Sequence, residues 1–473
     1  MSPLHPAKPR IHRLAGMASV LFGLATGAGL TAPVAAQTAH DPVIRGKNNW
    51  LFVRYEIPPA ELADEALVSV DLIARLNRLL AAQKITLAVT VVPSKIETYQ
   101  EQLPDGFKVS DHMRGFNDKI QTALRAAGVP SIDLKGALRS AALKDPANPV
   151  FLQLDTHWTP TGAMAAAQTI KAGIDATPSL KVAYDAVLYE RYVLQWASAK
   201  ENQPETRDII KLLPANAPSY PVEQVLRFTV TRANPVSASL LGASVGGDIV
   251  LVGSSFSDEA TGFANALRYM LQRDVLNFHI PADLGPWMMM KSYLQNDAFQ
   301  TQKPKLLLWE IPERAISWAP NYPYRDARYV IDNADWLLQV GALSKETCEP
   351  TGIASRFEAT GLLAPGNKRI GNATQNGDFL ELSFDQPINR QSYLSARLAT
   401  PGSEEVTLEA SGPGVPTRKF TVKVAGDDTD HAFKTPLALT DKGINRLRIY
   451  PGTTRDFALG DIEVCRQSAA LVP

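Results

Sequence analysis

Two short stretches of this chain carry the side chains of an acyl-transfer site, Asp155-Thr156-His157-Trp158 and Gly253-Ser254-Ser255-Phe256-Ser257. An unassisted serine hydroxyl is a poor nucleophile. It needs a base within hydrogen-bond reach and a carboxylate that holds the base in the right tautomer. The pattern assigns Asp155 as orienter, His157 as general base and then general acid, and Ser255 as nucleophile. The single residue between Asp155 and His157 lets a tight turn bring the carboxylate to one ring nitrogen while the other faces the serine. Alternatives stand beside each assignment. Ser254 or Ser257 could replace Ser255, and Asp155 with Thr156 could cap a helix, leaving His157 and Trp158 as packing residues. Asp258 and Glu259 follow the serine and fit the acid bias of a helix's first turn. No cluster of His, Cys or carboxylates marks a catalytic metal, no cofactor is expected, and no opposed carboxylate pair marks a glycosidase. The oxyanion calls for the backbone N–H of Ser255 or Phe256, with a further group from residues 93–97 or 245–247.

Both stretches are expected at strand ends. Thr86–Val92 is a continuous run of β-formers closed by Pro93, as in a strand buried on both faces of a parallel sheet. Before it, Leu67, Val70, Ile73, Ala74, Leu76, Leu79 and Leu80 recur at helical spacing within 62–84. The alternation continues with a helix near 117–126, a strand near 129–134, a helix near 135–143, a strand over 150–154 and a helix from Pro160. Strands over 248–252 and 305–311 follow, and a helix over 334–343. Strands alternating with helices predict α/β layers, in which chemistry sits beyond the carboxyl ends of the strands. Residues 176–246 break the cycle and read as an inserted region whose strands and loops rim the site. From about Thr351 short alternating runs between Gly, Pro and Asp predict a small β-sandwich, with strands at 380–384, 393–397, 405–409, 420–424 and 446–450. The expected fold is an α/β parallel-sheet domain over 37–345 followed by a C-terminal β-sandwich over 346–473.

Residues 1–36 contain no acid, carry Lys8, Arg10 and Arg13 ahead of an apolar run, and end in Ala32-Pro33-Val34-Ala35-Ala36. This is the pattern of a cleaved secretory signal, and the run is short of the roughly 20 strongly apolar residues that an uncleaved anchor needs. An exported soluble protein, periplasmic in a bacterium with two membranes, follows. Cys348 and Cys465 are the chain's two cysteines. In an oxidising compartment they most simply form one disulfide, against the alternatives of free thiols or a metal pair. The precursor has 48 basic and 48 acidic residues. That balance excludes a surface built for nucleic acid.

The chain resembles the periplasmic alginate O-acetyltransferase family (AlgX/AlgJ-like) over essentially the whole mature chain. The matching stretches are Gly46-Lys-Asn-Asn-Trp-Leu-Phe52, Leu154-Asp-Thr-His-Trp-Thr-Pro-Thr-Gly162, Leu251-Val-Gly-Ser-Ser-Phe-Ser257, Trp309-Glu-Ile-Pro-Glu-Arg314 and the cysteine pair. The resemblance implies an SGNH-hydrolase-like catalytic domain, then a sandwich that acts as a carbohydrate-binding module. It places Asp155, His157 and Ser255 at the family's triad positions, in the reverse of the usual SGNH order. It further implies an acetyl donor delivered by membrane-bound acetylation machinery and a place in a polysaccharide export or biosynthesis complex. This chain lacks a further disulfide of the family's catalytic region, which leaves the glycan open between alginate and another anionic polymer.

The reaction expected is two-step acetyl transfer through an acetyl-serine to a sugar hydroxyl. A secreted acetyl-esterase would use the same residues, and a catalytically inactive polysaccharide-binding scaffold is the non-enzyme alternative. Trp158 is a candidate for stacking on a pyranose, with packing as its rival role. Arg418, Lys419, Arg446 and Arg448, with Lys423 and Arg455, are candidates for an anionic glycan, tempered by Asp427, Asp428, Asp430 and Asp441 and by the alternative of a solvated strand face. No tryptophan follows Trp336, which excludes a tryptophan-lined sugar platform in the sandwich.

Overall fold

A computed structural model of the protein describes residues 41–56, 58–203, 207–233, 246–280, 285–322, 330–360, 369–370, 379–399, 404–424, 431–450, 457–468 and 471. The expected signal at 1–36 lies outside them, as do Arg455 and three of the four aspartates, Asp427, Asp428 and Asp430. No helix among the described residues is long and apolar enough to cross a membrane.

Five parallel strands form the central sheet, in the spatial order Leu276–His279, Ile249–Gly253, Leu306–Pro312, Thr86–Val92 and Ser131–Asp133. Side chains alternate across it with the period of two that a pleat imposes. Ala88, Val92, Leu251 and Leu308 face one core, packed with the helices Pro160–Ala176 and Phe263–Leu271. Leu87, Val89, Val91, Val250, Val252, Leu307 and Trp309 face the other, under Ala63–Ala82, Gly285–Gln295 and Asn333–Ser344. Apolar side chains on both faces account for the uninterrupted hydrophobic runs that marked these strands in the sequence. The helix expected near 117 starts at Asp111, because the Ser110 hydroxyl accepts the Met113 N–H and caps it.

The strand expected over 150–154 does not form. The segment folds back on itself instead. Leu152 donates to the His157 carbonyl and Thr159 to the Val150 carbonyl, both at 2.9 Å. The next two amides, Gln153 and Leu154, donate to the Glu223 carboxylate. With its backbone satisfied locally and by a side chain, this buried apolar run needs no sheet partner. A single bridge, Phe151 to Trp158, is what remains of strand pairing.

Within 176–246 lie the helix Pro178–Asp185 and two small antiparallel pairs, Tyr192–Trp196 with Phe228–Arg232 and Glu201–Asn202 with Gln224–Val225. The C-terminal strands make a five-stranded antiparallel sheet in the order Ser355–Thr360, Phe379–Ile388, Ile444–Tyr450, Glu404–Gly412 and Val415–Val424. A four-stranded one runs Arg369–Ile370, Phe457–Arg466, Ser392–Ala399 and His431–Thr435. Leu380, Leu382, Leu408 and Leu447 from the first pack against Leu394, Leu398, Phe433 and Val464 from the second, a sandwich core. Cys348 and Cys465 are disulfide-bonded. Asp335, Asp297 and Gln300 on the helices meet Arg418, His431 and Lys434 on the sandwich strands.

Candidate active site

Gly253 ends its strand and the chain turns at once into a single 3-10 turn, Ser255–Ser257. Of the three serines here, Ser254, Ser255 and Ser257, two share one fate and the third has another. Ser254 and Ser257 are fully buried, and the Glu310 carboxylate accepts both of their hydroxyls, at 2.9 and 3.0 Å, as well as the Ser254 N–H at 2.7 Å. A Cβ on Gly253 would lie 2.0 Å from the Ser257 Oγ and 2.9 Å from a Glu310 oxygen, so this close approach requires glycine. Ser255 alone of the three points out of this anchor. Its Oγ stands 2.7 Å from His157 Nε2.

The imidazole is braced from behind. Asp155 Oδ1 accepts both the His157 backbone N–H at 3.0 Å and Nδ1–H at 2.5 Å. Asp155 is buried, which by itself would raise its pKa. The hydrogen bond and charge of His157, with the Asp208 and His157 backbone N–H groups, overcome that and hold it below the usual carboxylate range. The alternative in which Asp155 and Thr156 cap the following helix does not hold, because Thr159 is the cap and accepts the Gly162 N–H.

Below this turn sits a buried lysine, Lys95, within the stretch 93–97 from which an oxyanion group was expected, and its ammonium is engaged by backbone carbonyls instead. Lys95 Nζ donates to the carbonyls of Leu51, Gln153 and Asp155, at 2.6, 2.9 and 3.0 Å. It lies beside the stacked Trp50 and Phe52 rings, 5.3 and 5.2 Å from their centroids. The stretch Gly46–Phe52 thus acts as a hairpin that presents one carbonyl and two ring faces to a cation. Asn48 and Asn49 make its turn at φ 52° and 67°. Burial brings the Lys95 ammonium down to about 8.

Trp309-Glu-Ile-Pro-Glu-Arg314 resolves in the same way. Trp309 is core, Glu310 anchors the serine turn, and Glu313 accepts the Ser94 N–H at 3.0 Å and the Asn117 amide at 3.1 Å. The Arg314 guanidinium lies 5.7 Å from the Phe256 ring and 5.6 Å from the Tyr55 ring, and 3.7 Å from Glu56. It brings positive charge beside the serine turn.

Three site expectations need correction. Trp158 is 1% exposed, packs on Phe256 and Phe263 and donates Nε1–H to the Phe256 carbonyl, so its ring is not open to a sugar. Of the stretch 245–247, residue 245 lies outside the described residues, and Gly246 and Gly247 lead into the amino end of the strand Ile249–Gly253, the end away from Ser255. Phe256 N–H already donates to Ser254 Oγ at 3.2 Å, which leaves the Ser255 N–H of the two backbone candidates.

The sandwich cations are largely committed to acids. Arg418 pairs with Asp335 at 2.6 Å and donates to the Pro436 carbonyl. Arg446 and Arg448 flank Glu381, at 3.4 and 2.8 Å. Lys419 is the most exposed of the four and lies 2.9 Å from Glu409. Asp155, His157 and Asp208 bring ligand atoms within 4.8 Å of one another, a spacing a cation could use. The Asp155 oxygens are already shared among Nδ1 and two backbone N–H groups, and the Asp208 oxygens are held by Thr156.

Residues 43–313 match the family model described as an SGNH hydrolase-like domain, acetyltransferase AlgX. The probable alginate O-acetylase AlgJ of Pseudomonas aeruginosa is 30% identical over 310 residues, covering 63% of this chain and 75% of that protein. The alginate biosynthesis protein AlgX of Pseudomonas fluorescens is 23% identical over 305 residues, covering 63% of this chain and 58% of that one. Among solved structures, Pseudomonas aeruginosa AlgX superimposes with a TM-score of 0.60 at 18% identity, over 90% of this chain and 94% of that one. The O-acetyltransferase domain of Pseudomonas putida AlgJ gives 0.51 at 24% identity, over 63% and 98%. At such identities these two likenesses speak for the fold, and the family rests on the sequence matches. The chain belongs to the SGNH hydrolase-like AlgJ/AlgX family of alginate acetylation.

Proposed function

We propose that this protein is an exported O-acetyltransferase that carries an acetyl group on Ser255 and passes it to a hydroxyl of an anionic exopolysaccharide, alginate or a close relative. The observation that carries the reading is the continuous contact from Asp155 through His157 Nδ1 and Nε2 to Ser255 Oγ. Ser255 Oγ attacks the acetyl carbonyl of the donor as its proton passes to His157 Nε2, and the negative charge on the carbonyl oxygen meets the Ser255 N–H at the start of the turn. The imidazolium then protonates the departing oxygen of the donor. In the second half a sugar hydroxyl loses its proton to Nε2 and attacks the acetyl-serine, the bond from the acetyl carbon to Ser255 Oγ breaks, and Oγ takes the proton back from Nε2. Asp155 holds the tautomer throughout and stabilises the imidazolium.

Alginate enters this reading from the names of the AlgJ and AlgX relatives. The charge of Arg314 beside the serine turn suits an acidic sugar. Export to the periplasm is supported by the N-terminal segment and by the disulfide, which persists in an oxidising compartment. A membrane-bound donor system and a biosynthetic complex belong to this proposal as partners. Transfer and hydrolysis differ only in whether a sugar hydroxyl or water reaches the acetyl-serine. Product analysis of wild type and Ser255→Ala with an acetyl-ester donor, across neutral and anionic oligosaccharide acceptors, tests it. Acetylated anionic oligosaccharide from wild type alone is expected. Free acetate as sole product would favour the esterase, and unchanged product from Ser255→Ala would remove the nucleophile.

A further inference from the structure

Among its described residues, the segment 176–246 reaches the imidazole through Asp208. The contact is reciprocal. The Asp208 backbone N–H donates to Asp155 Oδ2 at 2.9 Å, while the Thr156 N–H donates to Asp208 Oδ1 at 2.8 Å and the Thr156 hydroxyl to Asp208 Oδ2. The two oxygens of Asp155 are thereby divided, Oδ1 to His157 and Oδ2 to Asp208. Asp155 cannot rotate without breaking bonds on both sides. The free rim of this clasp is also charged. Asp208 Oδ2 stands 3.9 Å from His157 Nδ1, too far for a hydrogen bond and close enough for attraction to a protonated ring.

We infer that Asp208 is a positioning residue for His157, locking the Asp155 carboxylate in place and adding a second negative charge on the Nδ1 side of the imidazole. The inference rests on the reading of His157 as the base. A residue needed only for packing would not set one carboxylate beside another. Burial and the Asp155 charge raise the Asp208 carboxyl, so the arrangement opposes itself while the ring is neutral. That opposition is relieved when the ring takes the serine's proton, the moment at which catalysis needs it. The backbone is bent to allow it. Arg207, immediately before Asp208, has φ 32°, left-handed for a residue with a side chain, and its guanidinium is tied to the Tyr220 carbonyl at 2.9 Å. The other groups around the ring belong to different elements: Ser255 and the Phe256 ring in front, Arg314, Tyr55 and Glu56 beyond Phe256, and Lys95 and Glu223 behind Asp155.

Asp208→Asn separates charge from clasp, since the amide oxygen still accepts the Thr156 N–H and the backbone donor to Asp155 is untouched. With histidine ¹⁵N-labelled in the full mature protein, the His157 ring of Asp208→Asn is expected to lose its proton about one pH unit lower than in wild type. Thr156→Val, which keeps the charge but removes the hydroxyl that aims it, shifts the same way by less, and stands in if Asp208→Asn does not fold. In acetyl transfer kcat of Asp208→Asn falls about tenfold with KM nearly unchanged. Identical ring titration in wild type and both variants would overturn the inference. Absence of Ser255-dependent acetyl chemistry in wild type would instead sink the reading of the site, and the titration would still decide what Asp208 does to the ring.

Discussion

The Glu310 carboxylate binds Ser254 twice, through its backbone N–H at 2.7 Å and its hydroxyl at 2.9 Å, and so fixes the residue immediately before the proposed nucleophile. Glu310 is fully buried, and burial raises its pKa. Its oxygens hold the turn from within the core and leave only Ser255 aimed at the imidazole.

Removing that anchor should disturb both folding and activity. Glu310→Ala leaves the Ser254 N–H and two hydroxyls without their buried acceptor, a loss of about 3 kcal/mol in denaturant unfolding. Glu310→Gln, which still presents an oxygen, loses less. In acetyl transfer Ser254→Ala and Ser257→Ala retain Ser255-dependent turnover, whereas Ser255→Ala falls on the order of 10³-fold or more.

Lys95 makes a second prediction. Lys95→Met keeps the length of the side chain but removes the donor to the carbonyls of Leu51, Gln153 and Asp155, of which Gln153 keeps the Leu51 N–H. Unfolding free energy is expected to drop by about 3 kcal/mol, with a larger relative loss in kcat than in binding, because the Asp155 turn loosens. Lys95→Arg should not rescue it, since a planar guanidinium does not fit the three-carbonyl cradle made for a compact ammonium.

Glu313 and Glu97 make the third. Burial, and for Glu313 also the nearby Glu97 charge, push them up to about 8 and about 7. The folded protein therefore holds protons that the unfolded chain releases above the ordinary glutamate range, so stability falls as pH rises from about 5 to 8. Glu313→Gln, whose amide oxygen can still accept the Ser94 and Asn117 donors, should flatten that dependence by on the order of 3 kcal/mol across the window. Thermal melts at stepped pH check this, and parallel curves for wild type and variant would contradict it.

The central strands 86–92, 249–253 and 306–312 were legible in the sequence because each carries apolar side chains on both faces, whereas the edge strand Leu276–His279, with Asn277 and His279 interrupting its apolar residues, was not read. Five of the C-terminal strands were legible by alternation; Ser355–Thr360, Arg369–Ile370, His431–Thr435 and Phe457–Arg466 were not read, and in the last Gly460, Asp461 and Glu463 break the pattern, with Asp461 at φ 47°. Residues 150–154 misled for the converse reason. Their side chains are buried as a strand's would be, yet Glu223, some 70 residues later, takes the amides that a strand would pair. Of the site, Asp155, His157 and Ser255 came from residue type and spacing, and the structure brings them together. The roles of Lys95, Asp208, Glu223 and Glu310 escaped notice because each residue acts on backbone or side chains distant in the chain, with no local motif to announce it. The stretches holding Trp50 and Glu310 were singled out through the family resemblance, without a role for those residues.

Whether Ser255 carries the acetyl group is decided by peptide mapping, by mass spectrometry, of the protein trapped with an acetyl-ester donor in the absence of acceptor. One acetyl group is expected, on Ser255, absent from Ser255→Ala and strongly reduced in His157→Ala. An acetyl group on Ser254 or Ser257, or an adduct that forms equally well without His157, would contradict it.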